Sequence, residues 1–142
     1  MLTDQPLRVQ ALWQQVQSPH CGAVVVFMGT VRTPQDGPQV VALHYEAYPE
    51  LVASTWATIR DELATRWPPA RVVLGHRVGR VALGEPTMVL ATSAPHRAAA
   101  YQANRYALEQ IKTRLPLWKK EIYLNGSLWT SNACGVSPVA AV

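Results

Sequence analysis

The densest chemistry in this chain lies in one short run, Lys112-Thr113-Arg114-Leu115-Pro116-Leu117-Trp118-Lys119-Lys120-Glu121. Four cations fall between Lys112 and Lys120, and Pro116 interrupts them. Crowded cations lower one another's pKa, and a lysine made partly neutral can act as acid, base or nucleophile. The same residues also read as a helix C-terminus whose cations suit the helix dipole, followed by an exposed strand. A second place is Pro95-His96-Arg97, where a helix begins. Unpaired N–H groups and partial positive charge at a helix N-terminus bind anions, and an adjacent arginine strengthens such a site. Basic residues are disfavoured in a first helical turn, so His96 and Arg97 cost some stability there unless an anion compensates. A third place is Phe27-Met28-Gly29-Thr30-Val31-Arg32. Gly29 would let a ligand approach the backbone, and Arg32 offers a planar charged fork for a phosphate. An arginine that ends an apolar strand also reads simply as a side chain reaching solvent.

Other chemistries find little support. Cys21 and Cys134 show no C-x-x-C or metal spacing, and His20, His44, His76 and His96 are scattered, so no metal site is expected. The chain lacks a G-x-G-x-x-G or Walker A sequence. Its longest apolar run, Ala23 to Met28, is the length of a strand and far short of a membrane span. The N-terminus has neither a basic n-region nor an apolar h-region, and a cytoplasmic protein is expected. A net charge of +4 points weakly to an anionic ligand or partner. With 142 residues, 49% apolar and 15% charged, the composition is that of one globular domain spanning 1–142.

The elements that must position these residues are legible from periodicity and punctuation. Thr3 or Asp4 caps a first helix carrying Val9, Leu12, Trp13 and Val16, ended by Gly22. Ala23 to Arg32 reads as a buried strand, and Val40 to Tyr48 as a second, half-exposed one. Pro49 opens a helix with Val52, Trp56, Ile59 and Leu63 on its core stripe, and Trp67-Pro68-Pro69 stops it. Arg71 to Val78 and Pro86 to Ser93 are strands joined through Gly79 and Gly84. Pro95 to Leu115 is a third helix, and Asn125-Gly126 turns a final hairpin. The tail from about residue 131 looks frayed. The expected class is α+β, a mixed or antiparallel sheet covered by about three helices.

Taken together, the segments resemble the large, catalytic subunit of molybdopterin synthase. The resemblance runs from about Gly22 to Trp129. It rests on Phe27-x-Gly29-x-Val31-Arg32, His44-Tyr45-Glu46-Ala47-Tyr48, Arg66-Trp67-Pro68, His76-Arg77-Val78-Gly79, His96-Arg97, Lys112-x-Arg114-x-Pro116-x-Trp118-Lys119-Lys120-Glu121, and Gly126 with Trp129, in that order. It implies an α/β-hammerhead-like fold and a sulfurtransferase that converts cyclic pyranopterin monophosphate into molybdopterin, with no cofactor of its own. The implied sulfur donor is a thiocarboxylate on the C-terminal Gly-Gly of a small ubiquitin-like subunit. The implied assembly is a homodimer with one small subunit on each half, a heterotetramer. By resemblance, the substrate-binding positions are Thr30, Val31, Arg32, His96, Arg97, Lys112, Lys119, Lys120 and Glu121, with Lys112 and Lys119 catalytic. The family often carries lysine at the position of Thr30, and the chain after Trp129 is short and neutral.

Two readings from other classes compete: a basic nucleic-acid-binding module, and a non-catalytic adaptor for a ubiquitin-like protein. The first would use the Lys112 to Lys120 cations, but these are concentrated and not spread along a groove. One geometric expectation follows from the helix. His96 and Lys112 are sixteen residues apart on it, or roughly 24 Å at 1.5 Å per residue. A pocket holding both is shared between two copies of the chain, unless the helix bends. No proline or glycine lies between Pro95 and Pro116 to bend it.

Overall fold

The computed structural model describes residues 1–130. The expected frayed tail and Cys134 lie outside them. Among the described residues the chain builds two four-stranded sheets and three helices. The first sheet has the order β1 (Leu2–Thr3), β4 (Arg71–Arg77), β6 (Pro86–Ala94), β2 (Ala23–Thr30). Only its β1–β4 pair is parallel. The second sheet is antiparallel throughout, with the order β5 (Gly79–Ala82), β3 (Val40–Ala47), β7 (Leu117–Tyr123), β8 (Gly126–Thr130). Gly126 takes φ +145° at the start of β8, a conformation that favours glycine. The α+β expectation holds, with the strands divided between one mixed and one antiparallel sheet.

The main core lies between the first sheet and two long helices, α2 (Pro49–Arg66) and α3 (Arg97–Arg114). Helix α2 has proline in its first turn and buries Val52, Ile59 and Leu63. Helix α3 buries Ala100, Ala103, Asn104, Ala107 and Ile111, a stripe at intervals of three, one, three and four. Alanine along this stripe lets the helix lie close on the sheet. Asn104 then pins it there, its Nδ2 donating toward the Leu90 and Val25 carbonyls at 3.2 and 3.4 Å and the Thr92 hydroxyl at 3.1 Å. At the far end, Glu62 of α2 accepts hydrogen bonds from Arg114 Nη1 at 2.8 and 3.0 Å and from Tyr106 Oη at 2.7 Å. Arg114 and Tyr106 hold the Glu62 carboxyl below its ordinary pKa. That cluster fixes the last turn of α3, which carries Lys112.

Three local expectations are corrected. The N-terminal helix is short, α1 (Val9–Gln14), and its N-cap is Arg8. Leu2 and Thr3 instead pair beside His76 and Arg77, because β4 offers an open edge. The His76 and Val78 N–H groups donate to the Met1 and Thr3 carbonyls, both at 2.9 Å. The Gly79 to Gly84 connection contains β5, which covers the edge of β3. Strand β2 is half-buried. Val24, Val26 and Met28 are 39–47% exposed on one face, while the other face packs under α3. A continuous apolar run reads as buried on both faces, but β2 is an edge strand with one face covered. The strand buried along nearly its whole length is β6, between β4 and β2.

Candidate functional site

Where the C-terminal end of α3 meets both sheets, the fold leaves a pocket of about 270 Å³. Lys112 reaches it from α3. Pro116 cannot continue that helix, and the chain reverses into β7, which brings Lys119 to the same pocket. Two lysines seven residues apart in sequence thus face one volume. The remaining wall is Phe27 and Gly29 of β2, Tyr45 of β3, His76 of β4, Thr87 and Met88 of β6, and the apolar Ile111, Leu115 and Leu117. Two donor-rich cations in a mostly apolar recess suit an anionic ligand. At Gly29 an added Cβ would come to 3.4 Å from Thr87 Oγ1, narrowing that wall.

Strand alternation sorts the rest of the cationic run. Lys119 Nζ donates to Glu121 Oε1 at 3.2 Å, and Tyr123 Oη donates to Glu121 Oε2 at 2.6 Å. The tyrosine hydroxyl first, and then Lys119, hold the Glu121 carboxyl below its usual pKa. Glu121 therefore stays an anion that orients Lys119. Lys120 turns to the other face of β7, where its ammonium lies 5.3 Å from the Trp129 ring centre.

The other expected positions lie elsewhere. Thr30 and Arg32 are exposed, and the β2–β6 register shifts between Gly29 and Thr30. Val31 is 2% exposed in a second small core with Val40, Leu43 and Val81, so its side chain is packed away from any ligand. His96 is the N-cap of α3, without a side-chain cap hydrogen bond and with no acid in the following turn. With Arg97 it lines a shallow recess beside Gly22, Ala23 and Pro95. Helix α3 runs unbroken from there to Arg114, so the anion-suited recess and the lysine pocket sit at opposite ends of one rod. Among the described residues no group of three His, Cys, Asp or Glu is placed to hold a metal, and no helix is long and apolar enough to cross a membrane.

Beside Thr87, the pocket contains two further polar residues outside the site expected from sequence, His76 and Tyr45. Their one sequence signal is position: each is a polar side chain on a largely apolar strand, inside a motif that carries the family resemblance. The Tyr45 ring meets the His76 imidazole edge-on, 4.9 Å between centres. Burial holds the His76 pKa down at about 4, with Lys112 adding to the effect. Its folded pKa therefore lies below the unfolded value of about 6.5. Between those values the unfolded chain binds a proton that the folded chain does not, so His76 withdraws stability as pH falls from about 6.5 to about 4. The full loss is on the order of 3 kcal/mol. Urea denaturation at pH 7.5 and 4.5 will show a smaller acid loss for His76→Gln than for the parent chain. Equal losses would mean that His76 does not titrate in this way.

A family model described as MoaE protein matches residues 2–114. The molybdopterin synthase catalytic subunit of Halalkalibacterium halodurans is 43% identical over 131 residues, covering 92% of this chain and 84% of the relative. That of Bacillus subtilis is 40% identical over 128 residues, covering 90% and 82%. The crystal structure of molybdopterin synthase from Staphylococcus aureus superposes with a TM-score of 0.88 at 37% identity, covering 92% of this chain and 95% of that one. With most of its length matched by the family model and by these relatives, the chain belongs to the MoaE family, that of the molybdopterin synthase catalytic subunits.

Proposed function

We propose that this chain converts cyclic pyranopterin monophosphate into molybdopterin, as a sulfurtransferase fed by the thiocarboxylated C-terminal Gly-Gly of a small ubiquitin-like subunit. The observation that carries the reading is the convergence of Lys112 and Lys119 on one pocket from two elements. The donor tail and the substrate phosphate are both anions, and ammonium groups attract them and supply protons. In this role Lys112 and Lys119 are the acids and bases of sulfur transfer, and Glu121 orients Lys119. The recess at His96 and Arg97 takes the phosphate, helped by the helix N-terminus. Thr30, Val31 and Arg32 contribute backbone and one guanidinium at the end of β2.

The reading includes a partner and a second copy. The relatives are named as catalytic subunits, parts of an assembly. Because α3 is one uninterrupted helix with these two sites at its opposite ends, His96 and Arg97 of one protomer serve the lysine pocket of the other in a two-fold homodimer. Two small subunits complete a heterotetramer, in the cytoplasm, with no metal or cofactor held by this chain. The cations do not form a single track for nucleic acid, since Lys119 is paired with Glu121 and Lys120 lies on the opposite strand face.

The test uses the thiocarboxylated partner and a partner lacking its last two glycines. The intact partner will support molybdopterin formation. The truncated one will bind within about tenfold of the intact affinity, a difference of roughly 1.4 kcal/mol, yet give no product. Product formed with the truncated partner would overturn the tail-delivery mechanism.

A further inference from the structure

We propose that His76 is an additional catalytic residue of this pocket, the acceptor that takes a proton from the water releasing the small subunit. This rests on the sulfur-transfer reading and adds a step to it. Sulfur delivered as a thiocarboxylate remains bonded to the carrier's acyl carbon once it has bonded to the pterin carbon. Water must then cleave the acyl–sulfur bond. The water oxygen bonds to the acyl carbon, and the electron pair of the breaking C–S bond leaves with sulfur, as a thiolate on the pterin. One water proton passes to His76 Nε2. The other is lost to solvent when the new carboxylic acid ionises, and the imidazolium then returns its proton to solvent. Nothing is oxidised or reduced.

The geometry fixes which nitrogen does this. Strand β4 sets His76 in the pocket wall at 5% exposure. Its Nδ1 lies 2.7 Å from the Arg77 carbonyl oxygen. A carbonyl only accepts, so the proton of the neutral ring sits on Nδ1 and the lone pair on Nε2. Among the described residues, Arg77 Nε is the one side-chain polar atom both sealed from solvent and lacking a hydrogen-bond partner. Among the same residues Nε2 has no hydrogen-bond partner either, so it keeps contact with open volume, and the pocket is the volume His76 lines. The edge-on Tyr45 ring keeps the imidazole plane from turning.

The surroundings call for an acceptor. Lys112 from α3 and Lys119 from β7 offer only N–H donors when charged. The Thr87 hydroxyl of β6 donates to the Gly29 carbonyl at 3.1 Å. The nearby carboxylate, Glu121, is engaged by Lys119 and Tyr123. The Met1 ammonium, held on the Leu74 carbonyl at 2.7 Å, adds another positive charge on the β1 side. Burial first, and then the charges of Lys112 and the Met1 ammonium, keep His76 unprotonated in the free protein. Anionic substrate and carrier offset the Lys112 charge when they bind, which removes that part of the depression and strengthens His76 as a base.

Rapid-quench single turnovers with thiocarboxylated carrier, read by intact mass, test the proposal. The parent chain will return carboxylated carrier without accumulating an adduct. His76→Gln keeps an amide that can donate to the Arg77 carbonyl, but it lacks a base. It will form the carrier–pterin thioester within about threefold of the parent rate and release the carrier about 100-fold more slowly, at the low end of general-base effects. Free imidazole added to His76→Ala will restore release in proportion to its unprotonated fraction as pH rises. Formation and release slowed together, or release at the parent rate in His76→Gln, would overturn the proposal. Failure of the parent chain to move any sulfur would overturn the parent reading as well, and is recognised by the absence of both adduct and product.

Discussion

Lys119→Ala will lower molybdopterin formation by roughly 10²- to 10⁴-fold, the range for removing a positioned proton donor or acceptor. The fold will persist. Lys119 is 33% exposed, and among the described residues its one ion pair is to Glu121. Such a pair contributes at most about 1 kcal/mol, or about 4 °C of Tm in a chain of this size. Lys112→Ala will be comparably severe, because Lys112 shares the pocket. Lys120→Ala will be mild, since that side chain lies over Trp129 on the opposite face of β7. Steady-state product formation beside a thermal melt separates the three variants. Parent-like activity in Lys119→Ala would rule out a catalytic lysine there.

Mixing two inactive variants will restore activity. Arg97→Ala removes the anion recess at one end of α3, and Lys119→Ala disables the pocket beyond its other end. In a two-fold dimer with crossed contributions, each mixed pair holds one intact pocket and one doubly altered pocket. After full exchange half the dimers are mixed, so activity will approach about a quarter of the parent value. The uninterrupted helix is the reason to expect this, because it holds its two ends apart. If exchange is demonstrated and activity stays absent, each site belongs to one protomer.

Features carried by long periodicity or by strong turn punctuation are legible in the sequence, and short strands set by neighbouring edges are not. Helices α2 and α3 follow from prolines and apolar stripes that span many turns, and the β7–β8 hairpin follows from Asn125-Gly126. Strands β1 and β5 are two and four residues long and exist because neighbouring edges are open, information that no local pattern holds. The exposed face of β2 is illegible in the sequence for a related reason. Hydrophobicity says that a strand can be buried, while topology decides which faces are covered. At the site, Lys112 and Lys119 were visible as a charge cluster with a proline between them. The separation of His96 from Lys112 followed from helix geometry alone. His76 is silent in the sequence, because a lone histidine in a strand gives no sign of its partners. Its role emerges only when β4, α3 and β7 are seen around one volume.

The most direct measurement follows the sulfur itself. A carrier whose thiocarboxylate bears isotopically labelled sulfur is supplied to the chain with cyclic pyranopterin monophosphate, and the product is weighed. The account predicts molybdopterin with label at both dithiolene positions, two carriers returned as carboxylates for each product, and loss of that product in Lys119→Ala. A chain that binds the carrier yet leaves its thiocarboxylate intact, or a product without labelled sulfur, would contradict it.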